Sequence, residues 1–273
     1  MKPAYPLEGI VSWNMNTICN YRCSYCTQRF IDKRTKWAKD LPQFIKAFNR
    51  LSGDWELKLS GGEPFRHPQF LEAVEALVKG GRRISVVTNF SSKLETLLRF
   101  AEITNPKPGI LSASLHLEYV DPVAFRNKLL AFQSEYEGTI CVTCVATRSN
   151  IPKLQELKDI FHDISFKIQP EKYDRDVIAY TSQEKQLLLA FGGHNSTGSI
   201  APNFQGKYCW AGSRYFIVDH LGEAYRCYPA RRYKKEYLGN ILHSKFRLSW
   251  EPTLCPYSYC NCTVPQSRGM MSS

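Results

Sequence analysis

Gly9-Ile10-Val11-Ser12-Trp13-Asn14-Met15 is followed, after three residues, by Cys19-Asn20-Tyr21-Arg22-Cys23-Ser24-Tyr25-Cys26. The first segment is a short apolar run of strand length, bounded by polar residues. The second is too polar to continue that strand and places three thiols within eight residues of loop. A buried strand that delivers reactive side chains to the loop at its carboxyl end is the arrangement of parallel α/β proteins, where chemistry gathers at strand C-termini.

Further candidate strands are Glu56–Ser60, Arg83–Asn89, Gly109–Glu118, Thr139–Thr147 and Ile164–Gln169. Between them lie stretches with apolar residues at helix spacing: Phe70, Leu71, Val74, Leu77 and Val78; Leu94, Leu97, Leu98 and Ala101; Leu154, Leu157, Ile160 and Phe161. Strand and helix in alternation predict parallel strands covered by helices. Six such units are too few for a closed eight-fold barrel, which leaves an open partial barrel or a doubly wound sheet. The expected fold class is α/β: a partial (β/α)6 barrel of parallel strands with a small cysteine-rich module after it.

The periodicity lapses at Gly192-Gly193-His194-Asn195-Ser196-Thr197-Gly198, which reads as a linker. Two units are therefore expected, residues 1–195 and residues 196–273. The second opens with a hairpin, Tyr215–His220 and Glu223–Tyr228, turning at Leu221-Gly222.

Composition narrows the function classes. With 273 residues and 43% hydrophobic content, the chain can bury a sizeable core. No opening apolar run suggests a secretion signal and no stretch reaches the roughly 18 apolar residues of a membrane span, so the cytoplasm is the expected compartment and membrane insertion is not expected. Lys plus Arg exceed Asp plus Glu by 36 − 25 = 11, which favours an acidic or phosphorylated partner. The densest basic patch is Arg226, Arg231, Arg232, Lys234 and Lys235, read as a solvated face, with an anion-binding rim as the alternative. No nucleic-acid-binding signature accompanies it. Ten clustered cysteines without an export signal point to metal or redox chemistry rather than disulfides.

Cys19-x3-Cys23-x2-Cys26 is one ligand short of closing a cubane, and the shortage leaves one iron free to bind something else. A zinc knuckle or a closed ferredoxin-like cluster would need a fourth local ligand, and the nearest histidine in sequence is His67. The triad, with Tyr25 before its last cysteine, resembles the CxxxCxφC signature of the radical S-adenosylmethionine (radical SAM) superfamily. The resemblance implies a 4Fe-4S cluster whose open iron chelates S-adenosylmethionine, one-electron cleavage to a 5′-deoxyadenosyl radical, and hydrogen abstraction from substrate. It places Tyr25 near the adenine.

A second element, Leu57-Lys58-Leu59-Ser60-Gly61-Gly62-Glu63-Pro64, ends a strand in two glycines and an acid about 35 residues after the triad. Glycines there let a ligand approach bare backbone. It resembles the GGEP element of the same superfamily, which implies that Gly61, Gly62 and Glu63 receive the cofactor's ammonium group. By the same resemblance Ser114 is the candidate for the ribose, with His116 and Glu118 further toward substrate and Thr88 and Asn89 as further candidates. On the fifth strand Cys141 and Cys144 face opposite ways, so at most one meets the pocket; packing is the ordinary role of a buried cysteine, and hydrogen-atom donation is the other. Lys167 and Gln169 share a face of the sixth strand. Cys141, His116 and Lys167 are the candidate catalytic residues.

Near the C-terminus Cys209, twelve residues, Gly222, four residues and Cys227 precede Cys255, Cys260 and Cys262. This resembles the auxiliary-cluster region of the SPASM and twitch group but has five cysteines where the full SPASM pattern has seven. The resemblance implies one auxiliary 4Fe-4S cluster on Cys209, Cys227 and two of the last three cysteines; four-thiolate zinc is the alternative. In length the chain resembles the twitch-type aminocyclitol dehydrogenases.

The expected function is thus radical SAM oxidation or epimerisation of a small polar substrate such as a sugar or aminocyclitol, with an electron donor such as flavodoxin or ferredoxin. The same chemistry on a ribosomally made precursor peptide is the first alternative, though the few residues before Gly9 leave no room for an amino-terminal docking domain. A non-catalytic iron-sulfur or zinc protein binding an acidic partner is the second.

Overall fold

The computed structural model describes residues 1, 5, 8–173, 176–191, 203–258, 260 and 264–272. The expected linker at 192–198, the proposed domain junction and Cys262 lie outside the described residues.

Strand and helix alternate as the sequence predicts. β1 (Glu8–Asn14), β2 (Asp54–Ser60), β3 (Arg83–Thr88), β4 (Pro108–Leu115), β5 (Thr139–Ala146) and β6 (Ser165–Pro170) are separated by α1 (Arg34–Asn49), α2 (Phe70–Lys79), α3 (Leu94–Thr104), α4 (Pro122–Gln133) and α5 (Leu154–Ile160). The remaining elements are β7 (Lys172–Tyr173), β8 (Asp176–Val177), α6 (Ser182–Phe191), β9 (Tyr208–Cys209), β10 (Tyr215–Val218), β11 (Glu223–Tyr225), α7 (Tyr228–Arg232), β12 (Tyr237–Asn240), β13 (Thr253–Leu254) and α8 (Val264–Ser267).

The first six strands run parallel and lie in chain order within one nine-stranded sheet, β12-β11-β10-β1-β2-β3-β4-β5-β6. Sequential order without a reversal is that of a barrel and not of a doubly wound sheet. The two ends of the sheet do not pair, so the structure is an open partial barrel. β10 packs parallel against β1 and continues antiparallel into β11 and β12. The C-terminal segment thus extends the sheet on its β1 side.

The helices cover one face. Val11, Trp13, Leu57, Leu59, Val86, Leu111, Ala113, Val142 and Cys144 point to that side and pack with Phe44, Phe48, Leu77, Phe100, Leu129 and Phe132. Alternation along each strand sends Ser12, Glu56, Lys58, Ser85, Ser114 and Thr143 to the other face. That concave face is polar, with Glu56 and Ser85 each 2% exposed and joined by a 2.6 Å hydrogen bond from the serine hydroxyl. Buried polar groups of this kind persist only when paired.

Two expectations need correcting. The hairpin is shorter than the sequence suggests, because α7 begins at Tyr228, with Pro229 fitting the first turn of a helix. Arg226 does not belong to a solvated basic face: it is 5% exposed and inward-facing, because Glu236 and two backbone carbonyls satisfy its guanidinium.

Candidate functional site

The cysteine loop leaves β1 and is tied at once to the end of β2. Met15 N–H donates to Ser60 O at 2.8 Å, Gly62 N–H to Asn16 O at 3.0 Å and Glu63 N–H to Ile18 O at 2.7 Å. Asn16 adds its side-chain amide to Glu63 O at 2.9 Å. This lacing explains both glycines. A Cβ on Gly62 would stand 2.1 Å from Ile18 O, and one on Gly61 would stand 2.8 Å from the Asn16 side chain. The missing side chains therefore admit the cysteine loop's own backbone as well as opening a cavity wall.

The ends of β3 and β4 brace the loop from the other side. Asn89 donates from its amide to Asn20 Oδ1 at 3.0 Å and reaches Cys19 Sγ at 3.6 Å. Tyr119 stacks on Tyr21 at 4.2 Å and accepts from Arg22 N–H at 2.7 Å. Glu118 accepts from the backbone N–H and hydroxyl of Ser24. Nδ1 of His116 lies 2.7 Å from the Tyr25 hydroxyl and 3.3 Å from Cys23 Sγ.

Together these elements enclose a cavity of about 270 Å³ lined by Cys19, Cys23, Cys26, Tyr25, Gly61, Gly62, Asn89, Ser114 and His116. It also meets Thr27, Gln28, Phe30, Gln169 and Lys172, none of which belongs to a motif or a strand pattern that would single it out in the sequence except Gln169. Among the candidates for catalysis only His116 reaches the cavity wall. Cys141 lies two pairs further back on the concave face, two residues before Thr143, which pairs with Ser114, and Lys167 is exposed on the next strand. Cys144 faces the helices, where burial pushes its thiol up to about 12.

Glu63 is not at the cavity surface. It is 1% exposed, and its carboxylate accepts from the Thr88 hydroxyl at 2.7 Å, Asn89 N–H at 2.7 Å and Phe65 N–H at 3.2 Å. Burial pushes its pKa up to about 7 against the lowering effect of those bonds. Its position between β2 and β3 makes it a brace for Thr88 and Asn89. Burial also raises the Cys19 thiol, pushes the Cys23 thiol up to about 11 and holds His116 down near 4.

The second group of cysteines sits on the β1 side of the concave face. Cys209 and Cys227 are buried with Trp210, Tyr215, Tyr257 and Met270, and Cys255 and Cys260 pack against the same cluster. Among the described residues the cysteines form no disulfide. Among the described residues, no three His, Cys, Asp or Glu side chains are gathered closely enough to hold a single metal ion. A cubane spaces its thiolates farther apart than one ion does.

No helix among the described residues is long and apolar enough to cross a membrane. The chain shares 28% identity over 99 residues with an S-adenosylmethionine-dependent nucleotide dehydratase of Psychrobacter lutiphocae, covering 31% of this chain and 33% of that protein. It shares 29% over 113 residues with a probable GTP 3',8-cyclase of Thermococcus kodakarensis, covering 40% and 34%. The aligned stretches thus span about a third of the curated relatives. The fold is that of Streptococcus suis SuiB bound to precursor peptide SuiA, with TM-score 0.60, 14% identity, and coverage of 89% of this chain and 65% of that one. It also matches native anSMEcpe with bound AdoMet and Cp18Cys peptide, with TM-score 0.58, 16% identity, and coverage of 87% and 78%. Residues 13–129, from β1 through most of α4, match the family model of the Radical SAM superfamily. Residues 13–129 thus match a radical SAM superfamily domain, and that family uses a 4Fe-4S cluster and S-adenosylmethionine.

Proposed function

We propose that Cys19, Cys23 and Cys26 ligate three irons of the 4Fe-4S cluster and that the cavity beside them holds S-adenosylmethionine. The observation that carries this reading is the convergence of three thiols and the ends of β2 to β6 on one cavity of about 270 Å³. The donor set suits the group: thiolates take iron, and three of them leave an open position. When bound, the cluster and its ligand supply one-electron reductive cleavage and a hydrogen-atom acceptor.

The chain's own residues hold and orient. The backbone at Gly61 and Gly62 and the side chains of Asn89 and Ser114 offer polar partners to the cofactor's amino-acid and ribose parts, with Tyr25 beside the adenine. Glu63 acts from behind by fixing Thr88 and Asn89. The polar concave face, including Ser12, Lys58 and Thr143, forms the substrate chamber. Its hydroxyls and amines suit a small polar substrate, and the net charge of +11 with Lys172 at the cavity suits an anionic one. The nucleotide substrates in the names of two relatives point the same way.

The C-terminal segment, residues 196–273, is proposed as an auxiliary module in which Cys209, Cys227 and two of Cys255, Cys260 and Cys262 hold a second 4Fe-4S cluster. A fully ligated cluster suits electron transfer, so the proposed outcome is oxidation or epimerisation, with a flavodoxin or ferredoxin as donor.

The test is anaerobic reconstitution, reduction with dithionite and assay for 5′-deoxyadenosine from S-adenosylmethionine. Cys19→Ala, Cys23→Ala and Cys26→Ala should each abolish product. A wild-type preparation with its full iron complement that forms none would remove the reading.

A further inference from the structure

Arg226 touches the segments that carry Cys209, Cys227 and Cys255. It directly precedes Cys227. Its Nη1 donates to Leu254 O at 3.2 Å and its Nη2 to Thr253 O at 3.0 Å, holding the two residues of β13 that lead into Cys255. Its aliphatic stem lies against Gly212, three residues past Cys209, where an added Cβ would stand 3.2 Å from Arg226 Cγ. Gly212 has φ +88, so that turn is reserved for glycine and the stem has room to pass. Through Nη1 the guanidinium also pairs with Glu236 at 2.6 Å.

The charges around it are unequal. The Arg226 side chain is 7% exposed and the Glu236 side chain 30%, so water screens the carboxylate more than the guanidinium. Cys209 and Cys227 both lie within electrostatic reach of the cation. A structural arginine needs only its ion pair; one that also spends donors on the carbonyls beside Cys255 and packs on the Cys209 turn fixes three cysteine segments relative to one another.

We propose that Arg226 is a positioning residue for an iron-sulfur cluster bound by the C-terminal cysteines, setting both its retention and its reduction potential. This rests on the auxiliary-cluster reading above. Adding one electron makes a thiolate-bound cluster more negative, and a buried cation beside it favours that reduced state. Arg226 therefore makes the cluster easier to reduce, as suits an electron acceptor.

The experiment uses the full chain carrying Cys19→Ala, Cys23→Ala and Cys26→Ala, so that only the second cluster remains, reconstituted anaerobically and titrated with dithionite under electron paramagnetic resonance. With Arg226 present, about four irons per chain are expected. Absence of iron at this stage overturns the auxiliary-cluster reading itself, before any Arg226 variant is made. Arg226→Met should lose at least half of that iron, or keep it with a tenfold weaker one-electron reduction, which is about 59 mV downward. Arg226→Lys keeps the charge but not the fork: it should hold the potential within that tenfold range while releasing iron to a chelator faster than the parent. Should the Met variant fail to fold, the Lys variant decides alone. Parental iron retention and potential in the variant that folds would overturn the proposal, as would a tenfold weaker reduction in the Lys variant at full iron.

Discussion

The hydroxyl of Tyr25 sits 2.7 Å from Nδ1 of His116, and the same nitrogen is 3.3 Å from Cys23 Sγ. The segment following β4 thus clasps the cysteine loop from outside, with Glu118 on Ser24 and Tyr119 on Tyr21 and Arg22 completing the grip. The loop carries no regular secondary structure of its own, so its order depends on such contacts.

Tyr25→Phe keeps the ring and deletes the bond to His116, and should cost about 1 kcal/mol of loop order. His116→Ala should cost more, because it also removes the contact to Cys23. The readout is the rate at which anaerobic, reconstituted protein gives up iron to a chelator: faster for both variants, and fastest for His116→Ala. Unchanged rates would mean that the clasp does not help hold the cluster loop.

Gly62→Ala should destabilise the fold by roughly 1–3 kcal/mol, since its Cβ would fall 2.1 Å from Ile18 O and neither backbone can yield without breaking the lacing between β1 and β2. Gly81→Ala is the control for strain without crowding: Gly81 has φ +81, and an added Cβ there meets nothing within 4 Å, whereas Gly62 is crowded but lies outside the positive-φ region. Thermal melts of the two variants separate the effects, and Gly62→Ala should show the larger drop.

Glu56 is 2% exposed, and among the described residues its side-chain cation is Arg268, whose Nη2 donates to Glu56 Oε2 at 2.7 Å. Arg268→Ala leaves that carboxylate, among the described residues, with the Ser85 hydroxyl. Breaking a buried pair can cost 3–5 kcal/mol, and the 33% exposure of Arg268 brings the expectation down to about 1–3. Because Arg268 follows α8, the C-terminal tail should also become more sensitive to limited proteolysis. A tail cleaved no faster than in the wild type would show that the pair does not anchor it.

Glu63 gives a pH signature. Its folded pKa, near 7, lies above the ordinary value of 4.5, so the folded state holds a proton that the unfolded state has released. Its contribution is fully present below about 4.5 and is lost as pH rises through 7. Relative to Glu63→Gln, the wild-type melting temperature should therefore fall as pH is raised from 4.5 to 7 and level off above it. The comparison with the variant is needed because His67, held near 4 by burial, contributes the opposite slope in the same window. A flat difference would show that the carboxyl titrates normally.

The β/α alternation, the cysteine triad and the Gly-Gly-Glu turn are legible in the residues alone, because period, turn chemistry and thiol spacing are local properties. What local pattern cannot carry emerged only in the folded chain. Strand order chose the partial barrel over the doubly wound sheet. Burial withdrew Glu63 from the cavity surface and turned Arg226 from a surface charge into a buried one, although nothing adjacent to either residue marks it. The contacts that hold the cysteine loop span long separations, 97 residues for Arg22 to Tyr119 and 91 for Tyr25 to His116. Such partners become neighbours only when the ends of parallel strands converge, which is why the thiols were legible in the chain and the groups that hold them were not.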